Sequence, residues 1–261
     1  MLDDDVDPAL AAEKLIHPQF PRAARYDPVW QGRYGIGPNP LWFAESLSEL
    51  LELTPGMRVL DLGCGHAISA IFLAKEFGVE VVAVDLTVDP DENRALIAEA
   101  GVESLVTAVQ GDAHDLGFDA ESFDAIVSLD AYQYFGTEES FLPGLLRVLK
   151  PGGRLGAVVL GLTAEFDDGI PEHLTQGSTP DLSEFHSPQW WSDLWKRSGM
   201  VDIEYADMLP DGWRHWVRWF ELAGGSGHER WREYCARWAQ RLEVDAGRTL
   251  GFPRIVARKT G

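Results

Sequence analysis

Residues 57–85 read MRVLDLGCGHAISAIFLAKEFGVEVVAVD, and local signals divide this stretch into four pieces. Arg58 to Leu62 is a short apolar run that stops at Gly63-Cys64-Gly65. From Ala67 the apolar residues Ile68, Ile71, Phe72 and Leu73 follow helical spacing until Gly78 closes the segment. Val79 to Val84 is then β-branched, with too few polar residues for a half-exposed strand, as expected of a parallel sheet covered on both faces. Strand, glycine turn, helix and strand make a βαβ unit. Glycines at the first turn let backbone approach a ligand, and the helix start offers free N–H groups and a positive dipole to an anionic group. Asp85, closing the second strand, is placed to accept two charge-assisted hydrogen bonds from a ribose diol. The stretch reads as half of a nucleotide-binding site.

A nicotinamide dehydrogenase uses the same unit, but its fingerprint needs a third glycine three residues after the second, where this chain has Ile68. That reading is the fallback. What stands here is Asp61-x-Gly63-x-Gly65-x-Ala67, which resembles the first motif of class I S-adenosylmethionine-dependent methyltransferases with Ala67 in place of the last glycine. Three further segments follow in that family's order. Val106 to Val109 is a candidate third strand, and Gln110-Gly111-Asp112-Ala113 resembles the acidic turn that binds adenine. Residues 123–130, FDAIVSLD, resemble the fourth strand and its exit, and Leu149-Lys150-Pro151-Gly152-Gly153 resembles the turn into the fifth.

The resemblance covers roughly 54–162. It implies an α/β, Rossmann-like, seven-stranded and mostly parallel sheet with helices on both faces and an antiparallel last strand. It implies S-adenosylmethionine as methyl donor and a small-molecule acceptor methylated at O, N or C. The cofactor site it implies consists of Asp61, Gly63, Cys64, Gly65, His66, Asp85, Leu86, Asp112, Ala113 and Ser128, without a metal. Because the same fold serves enzymes that bind this cofactor without transferring a methyl group, other chemistry is the alternative.

Methyl transfer from a sulfonium is an in-line displacement, so positioning the acceptor and excluding water can supply much of the catalysis. A proton acceptor is needed only where the acceptor carries a proton. The nearest candidates leave the carboxyl end of the fourth strand, where open α/β sheets place their ligands: Asp130 and Tyr132, with Gln133 and Tyr134 beside them. Asp130 either orients a ligand or caps the following turn. His114, two residues past Asp112, and His186, just before Ser187, are candidate bases by their ordinary titration range, or hydrogen-bonded loop histidines.

Around the core, residues 1–39 read as an ordered but irregular segment in which Tyr26, Trp30 and Tyr34 either form a lid or pack against the next helix. A helix over 40–53 follows from its apolar spacing, and residues 1–53 together make an N-terminal lid and helix. Asp89-Pro90-Asp91-Glu92 starts a helix that runs to about Ala100, and Thr137 starts one toward Leu149 in which Pro143 forces a late start or a kink. Ser187-Pro188 and Gly199 bracket a helix over 188–198. Val201 to Met208 and Arg254 to Arg258 supply the last strands of a single domain, with a helical insertion over 211–247 within a C-terminal half of 163–261. Eight of the ten tryptophans fall after Gln189, and such clustering makes core, a subunit interface or an aromatic acceptor wall.

The chain of 261 residues carries 42 acidic against 22 basic side chains, a formal charge of −20, so a nucleic-acid backbone would be repelled. Arg214, Arg218, Arg230, Arg232, Arg237 and Arg241 are the one dense basic stretch, read as solvated helix faces. With only Cys64 and Cys235, neither a disulfide framework nor a zinc site is expected. Without a signal pattern or a long apolar run, the expectation is a cytoplasmic protein, monomeric or homodimeric, not inserted in a membrane, with a frayed acidic start.

Overall fold

The computed structural model describes residues 6–35, 37–175, 179–225 and 227–261. Most of the acidic start and Ile36 of the glycine-proline stretch therefore lie outside the described residues. The N-terminal segment forms α1 (Pro8–Leu15), α2 (Pro28–Tyr34) and α3 (Pro40–Leu51). The core then runs β1 (Arg58–Leu62), α4 (Ile68–Phe77), β2 (Glu80–Asp85), α5 (Pro90–Ala100), β3 (Val106–Gln110), β4 (Phe123–Leu129), α6 (Phe141–Leu146) and β5 (Leu149–Val158). After a short β6 (Gly161–Leu162) and α7 (Glu172–Thr175) come α8 (Pro188–Arg197) and β7 (Val201–Met208). The chain ends with α9 (Gly212–Ala223), α10 (Glu229–Asp245), β8 (Leu250–Gly251) and β9 (Pro253–Lys259).

The main sheet has the order β3-β2-β1-β4-β5-β9-β7. Strands β3 to β5 pair in parallel, and β9 runs antiparallel to both β5 and β7, as the sequence leads one to expect. The chain enters the sheet at its middle, builds outward through β2 and β3, then returns to build the other half from β4. That reversal opens a crevice beyond the carboxyl ends of β1 and β4.

Alternation along the strands divides the core. Val59, Val81, Ala83, Ala125 and Val127 pack with α3, α4 and α5, whereas Leu60, Val82, Val84, Ile126 and Ile255 pack with α6 and α8. Both sides of the parallel strands are therefore dry, which accounts for their lack of polar alternation. Helix α4 is apolar nearly all round because every residue from Ile68 to Ala74 is buried.

Two expectations need correction, and one alternative is decided. The segment before α3 is helical rather than irregular: Asp7 and Asp27 accept hydrogen bonds from the first N–H groups of α1 and α2, each with proline at the first helical position. It is also anchored, since buried Glu45 of α3 accepts from the N–H groups of Arg22 and Ala23, at 3.0 and 2.8 Å. Of the two alternatives at Thr137, the late start is the one found: the helix begins at Phe141, which puts Pro143 in its first turn, where the missing N–H has no partner to lose. Helix α3 stops at Leu51, two residues early, because Glu52 turns left-handed at φ 53°.

Among the described residues no helix is long and apolar enough to cross a membrane.

Candidate active site

A cavity of about 490 Å³ occupies the crevice, lined mainly by the turns that follow β1, β2, β3 and β4, with Tyr34 and Pro40 from the N-terminal segment and Ile68 and Ser69 from α4. The turn after β1 is held open by backbone geometry. The N–H groups of Gly63 and Cys64 both donate to the Val84 carbonyl, at 2.8 and 3.1 Å. Gly63, Gly65 and Ala67 all have positive φ, at 77°, 53° and 56°. A Cβ on Gly63 would stand 2.4 Å from that of Ala131, so glycine alone lets the loop after β4 close on the turn. Ala67 adopts the left-handed conformation at a strain of roughly 1–2 kcal/mol, which its buried setting sustains. No side chain among the described residues caps α4, whose first residues Ile68 and Ser69 line the cavity. Its N-terminal dipole therefore faces the ligand space.

Asp85 bridges two turns. Its Oδ2 accepts from the Gly65 N–H at 2.8 Å, and its Oδ1 accepts from the N–H groups of Thr87 and Val88 at 2.9 and 3.1 Å. Burial pushes this carboxyl up, but those N–H groups together outweigh it and hold the group below its usual range. It is a fixed anion with acceptor capacity left on Oδ2. Leu86 beside it is 60% exposed, an apolar surface on the cavity rim. Across the opening, Asp112 accepts from the N–H of His114 at 2.9 Å, which holds its carboxyl below the ordinary range.

Gly63, Cys64, Gly65, His66, Asp85, Leu86, Asp112, Ala113, His114 and Asp130 all line this one cavity. Burial lowers the His66 ring and so favours its neutral form, and burial raises the Cys64 thiol well above its usual range. Asp61 does not reach the cavity. It is buried under the turn, where Oδ2 accepts from Ser69 Oγ at 2.6 Å and Oδ1 has no partner among the described residues. Burial raises its carboxyl to about 7. Ser128 is also inside the sheet, donating to the Leu62 carbonyl at 2.8 Å and tying β4 to β1.

Two catalytic candidates, Tyr132 and His186, do not line this cavity. Tyr132 is fully buried, with its ring 5.5 and 5.4 Å from those of Trp191 and Trp195 of α8. The left-handed turn at Asp130, φ 56°, precedes a short helical turn in which Tyr132 packs into the core among side chains of α6 and α8. His186 lines neither this cavity nor its neighbour. Its ring stacks on Trp190 and its Nδ1 lies 3.2 Å from Glu165. Of the three lid candidates, Tyr34 lines the cavity, while Tyr26 packs on Phe72 of α4 and Trp30 stacks on Tyr26. Tyr134, Phe135 and Thr87 also line it, and the reading of the sequence did not include them in the cofactor site.

A second cavity of about 460 Å³ adjoins the first, and Asp130 and Tyr134 line both. Asp130 donates its N–H to the Val158 carbonyl at 2.7 Å and accepts from Gln133 Nε2 at 3.1 Å. Burial raises its carboxyl to about 7. The rest of the second cavity is walled largely by α9 and α10, with Trp216, Trp219, Phe220, Trp231 and Trp238 among its lining residues.

Sheet order, switch-point crevice and glycine turn together define the fold of class I methyltransferases. Residues 59–153, the part of the chain that carries β1 to the start of β5, match the family model of a methyltransferase domain. The chain is similar to a glycine/sarcosine/dimethylglycine N-methyltransferase of Actinopolyspora halophila, 28% identical over 60% of this chain and 28% of that protein. It is similar to the erythromycin 3''-O-methyltransferase of Saccharopolyspora erythraea, 29% identical over 67% of this chain and 60% of that one. The chain thus spans less than two thirds of these relatives' lengths. Among solved structures, a geranyl diphosphate C-methyltransferase from Streptomyces coelicolor A3(2) superposes with a TM-score of 0.67 over 98% of this chain and 87% of its own, at 16% identity.

Proposed function

We propose that this chain is an S-adenosylmethionine-dependent methyltransferase that holds its cofactor in the crevice and a small-molecule acceptor in the adjoining aromatic cavity. The observation that carries this reading is the junction: a cavity lined by the glycine turn and Asp85 shares Asp130 and Tyr134 with a second cavity of similar size. The crevice fits the cofactor in its donors as well as its volume. Gly63 and Gly65 admit close backbone approach, Asp85 is a ribose acceptor, Leu86 and Ala113 offer apolar contact to a base, and Asp112 accepts from an exocyclic amine. When bound, the sulfonium supplies an electrophilic methyl group.

The chain's own part is to orient and to dry. The aromatic wall limits water, and because Asp130 and Tyr134 line both cavities, an acceptor atom beside Asp130 lies next to the crevice. Asp130 is the titratable group at that junction and takes the acceptor's proton where there is one. Calorimetric titration with S-adenosylhomocysteine, with NADH as control, tests the cofactor; binding of NADH alone would return the chain to the nicotinamide reading. A product heavier than the acceptor by one methyl group tests the reaction and separates it from non-methylating chemistry on the same cofactor.

A further inference from the structure

We infer that the second cavity selects acceptors that are cationic amines with an apolar body and no anionic group, so that this chain is an N-methyltransferase of hydrophobic amines. The inference rests on the proposed function for the reaction, and on the cavity alone for the class of ligand.

Three features of the cavity carry it. The first is the wall. Trp216 and Trp238 lie 5.6 Å apart and nearly parallel, Trp238 continues onto Phe220 at 6.0 Å, and Trp231 meets Trp219 edge-on at 6.3 Å. Trp216, Phe220 and Trp238 stack on one another, and Trp219 and Trp231 complete an aromatic lining whose π systems attract a cation, as the Arg241 guanidinium 4.8 Å over Trp238 illustrates. The second is charge. Asp130, Asp181 and Glu184 all line the cavity, and none of its described lining residues is Lys, Arg or His. An acceptor bearing a carboxylate or phosphate would enter with no counter-ion against three carboxyl groups, whereas an ammonium meets both rings and carboxylates. The third is position. Asp130 sits at the mouth shared with the crevice, so an ammonium drawn to it is drawn to the place where transfer occurs. A chain-wide charge of −20 adds a field that concentrates cations near the surface.

The chemistry closes. A protonated amine first gives its proton to the Asp130 carboxylate. Its freed lone pair then bonds to the methyl carbon as the carbon–sulfur bond breaks, with that electron pair staying on sulfur, so the positive charge passes from sulfur to nitrogen. Asp130 then releases its proton to solvent. Burial raises the basicity of this carboxylate, so its ionised form is a competent proton acceptor near neutral pH.

Equilibrium binding separates this inference from the reading it rests on. Benzyltrimethylammonium, its neutral isostere neopentylbenzene and the anion 3-phenylpropionate are titrated into the chain saturated with S-adenosylhomocysteine, and again without it. The ammonium should bind at least about tenfold more tightly than the isostere, and the anion should not bind measurably. Trp219→Leu, Trp231→Leu and the pair Asp181→Asn/Glu184→Gln should each erode that preference several-fold, while S-adenosylhomocysteine affinity in the same variants stays within about twofold as evidence of folding. Equal binding of ammonium and isostere, tighter binding of the anion, or a preference untouched by all these variants overturns the inference. If S-adenosylhomocysteine itself fails to bind, the cofactor reading falls, and the titrations without it still decide the cavity.

Discussion

At the scale of single residues, Asp85 and Asp130 have opposite characters. Asp85 is held as an anion by three backbone N–H groups drawn from two turns. Asp85→Ala should weaken S-adenosylhomocysteine binding by about 1.5–3 kcal/mol, the usual loss for hydrogen bonds to a charged group, as read by calorimetry. Unchanged affinity would remove Asp85 from the ribose site. Asp130 instead has its carboxyl raised to about 7 by burial. The ionised form is the proton acceptor, so log kcat/KM should fall with unit slope as pH drops below about 7, and Asp130→Asn should lose that limb along with much of the rate. A wild-type profile flat between pH 5.5 and 7.5 would take Asp130 out of proton transfer. The motif that carries these residues was legible because glycines and a strand-terminal aspartate encode their turn locally. Asp61, in the same motif, was not legible as an interior residue: its only described side-chain partner is Ser69, and nothing in the spacing says which way the carboxylate points.

Elements differ in how much of their placement is local. Helix α5 follows from Asp89-Pro90, and the same aspartate-proline pair stands before α1 and α2, where the acidic run around the first and the glycine, proline and aromatic residues around the second obscured it. Tyr132 was out of reach for another reason. Its burial depends on α8, more than fifty residues away, whose Trp191 and Trp195 cover it. A substitution pair exposes the difference between a packing and a catalytic role. Tyr132→Phe should leave kcat/KM within about twofold, whereas Tyr132→Ala should lower stability by about 3–5 kcal/mol through the cavity it leaves, measured by denaturant unfolding. A large fall in kcat/KM for the phenylalanine variant at unchanged stability would restore the catalytic assignment. The second cavity had still less local signal, since its walls come from residues 37–38, 181–185 and 216–238.

For the whole molecule, charge is the dominant long-range feature. With a formal charge of −20, the folded chain concentrates like charges that the unfolded chain spreads out. Specific ion pairs oppose this, among them Glu204 held by both Arg154 and Arg258. Exposed pairs contribute little each, so the repulsion should prevail. Raising sodium chloride from about 0.1 to 1 M shortens the screening length from about 10 to 3 Å and should raise Tm by several degrees. A falling Tm would mean that the ion pairs outweigh the repulsion.

Gly37 touches the junction between the two cavities with backbone alone: a Cβ there would stand 2.1 Å from Asp130 Oδ2. The doorway therefore has no adjustable side chain on that edge, and any attempt to reshape it must alter Asp130 or Tyr134, which serve both chambers. Breadth of acceptor and speed of turnover are thereby coupled at this point. Variants selected for new acceptors should accumulate on the far aromatic wall, where they change what fits without disturbing how it reacts.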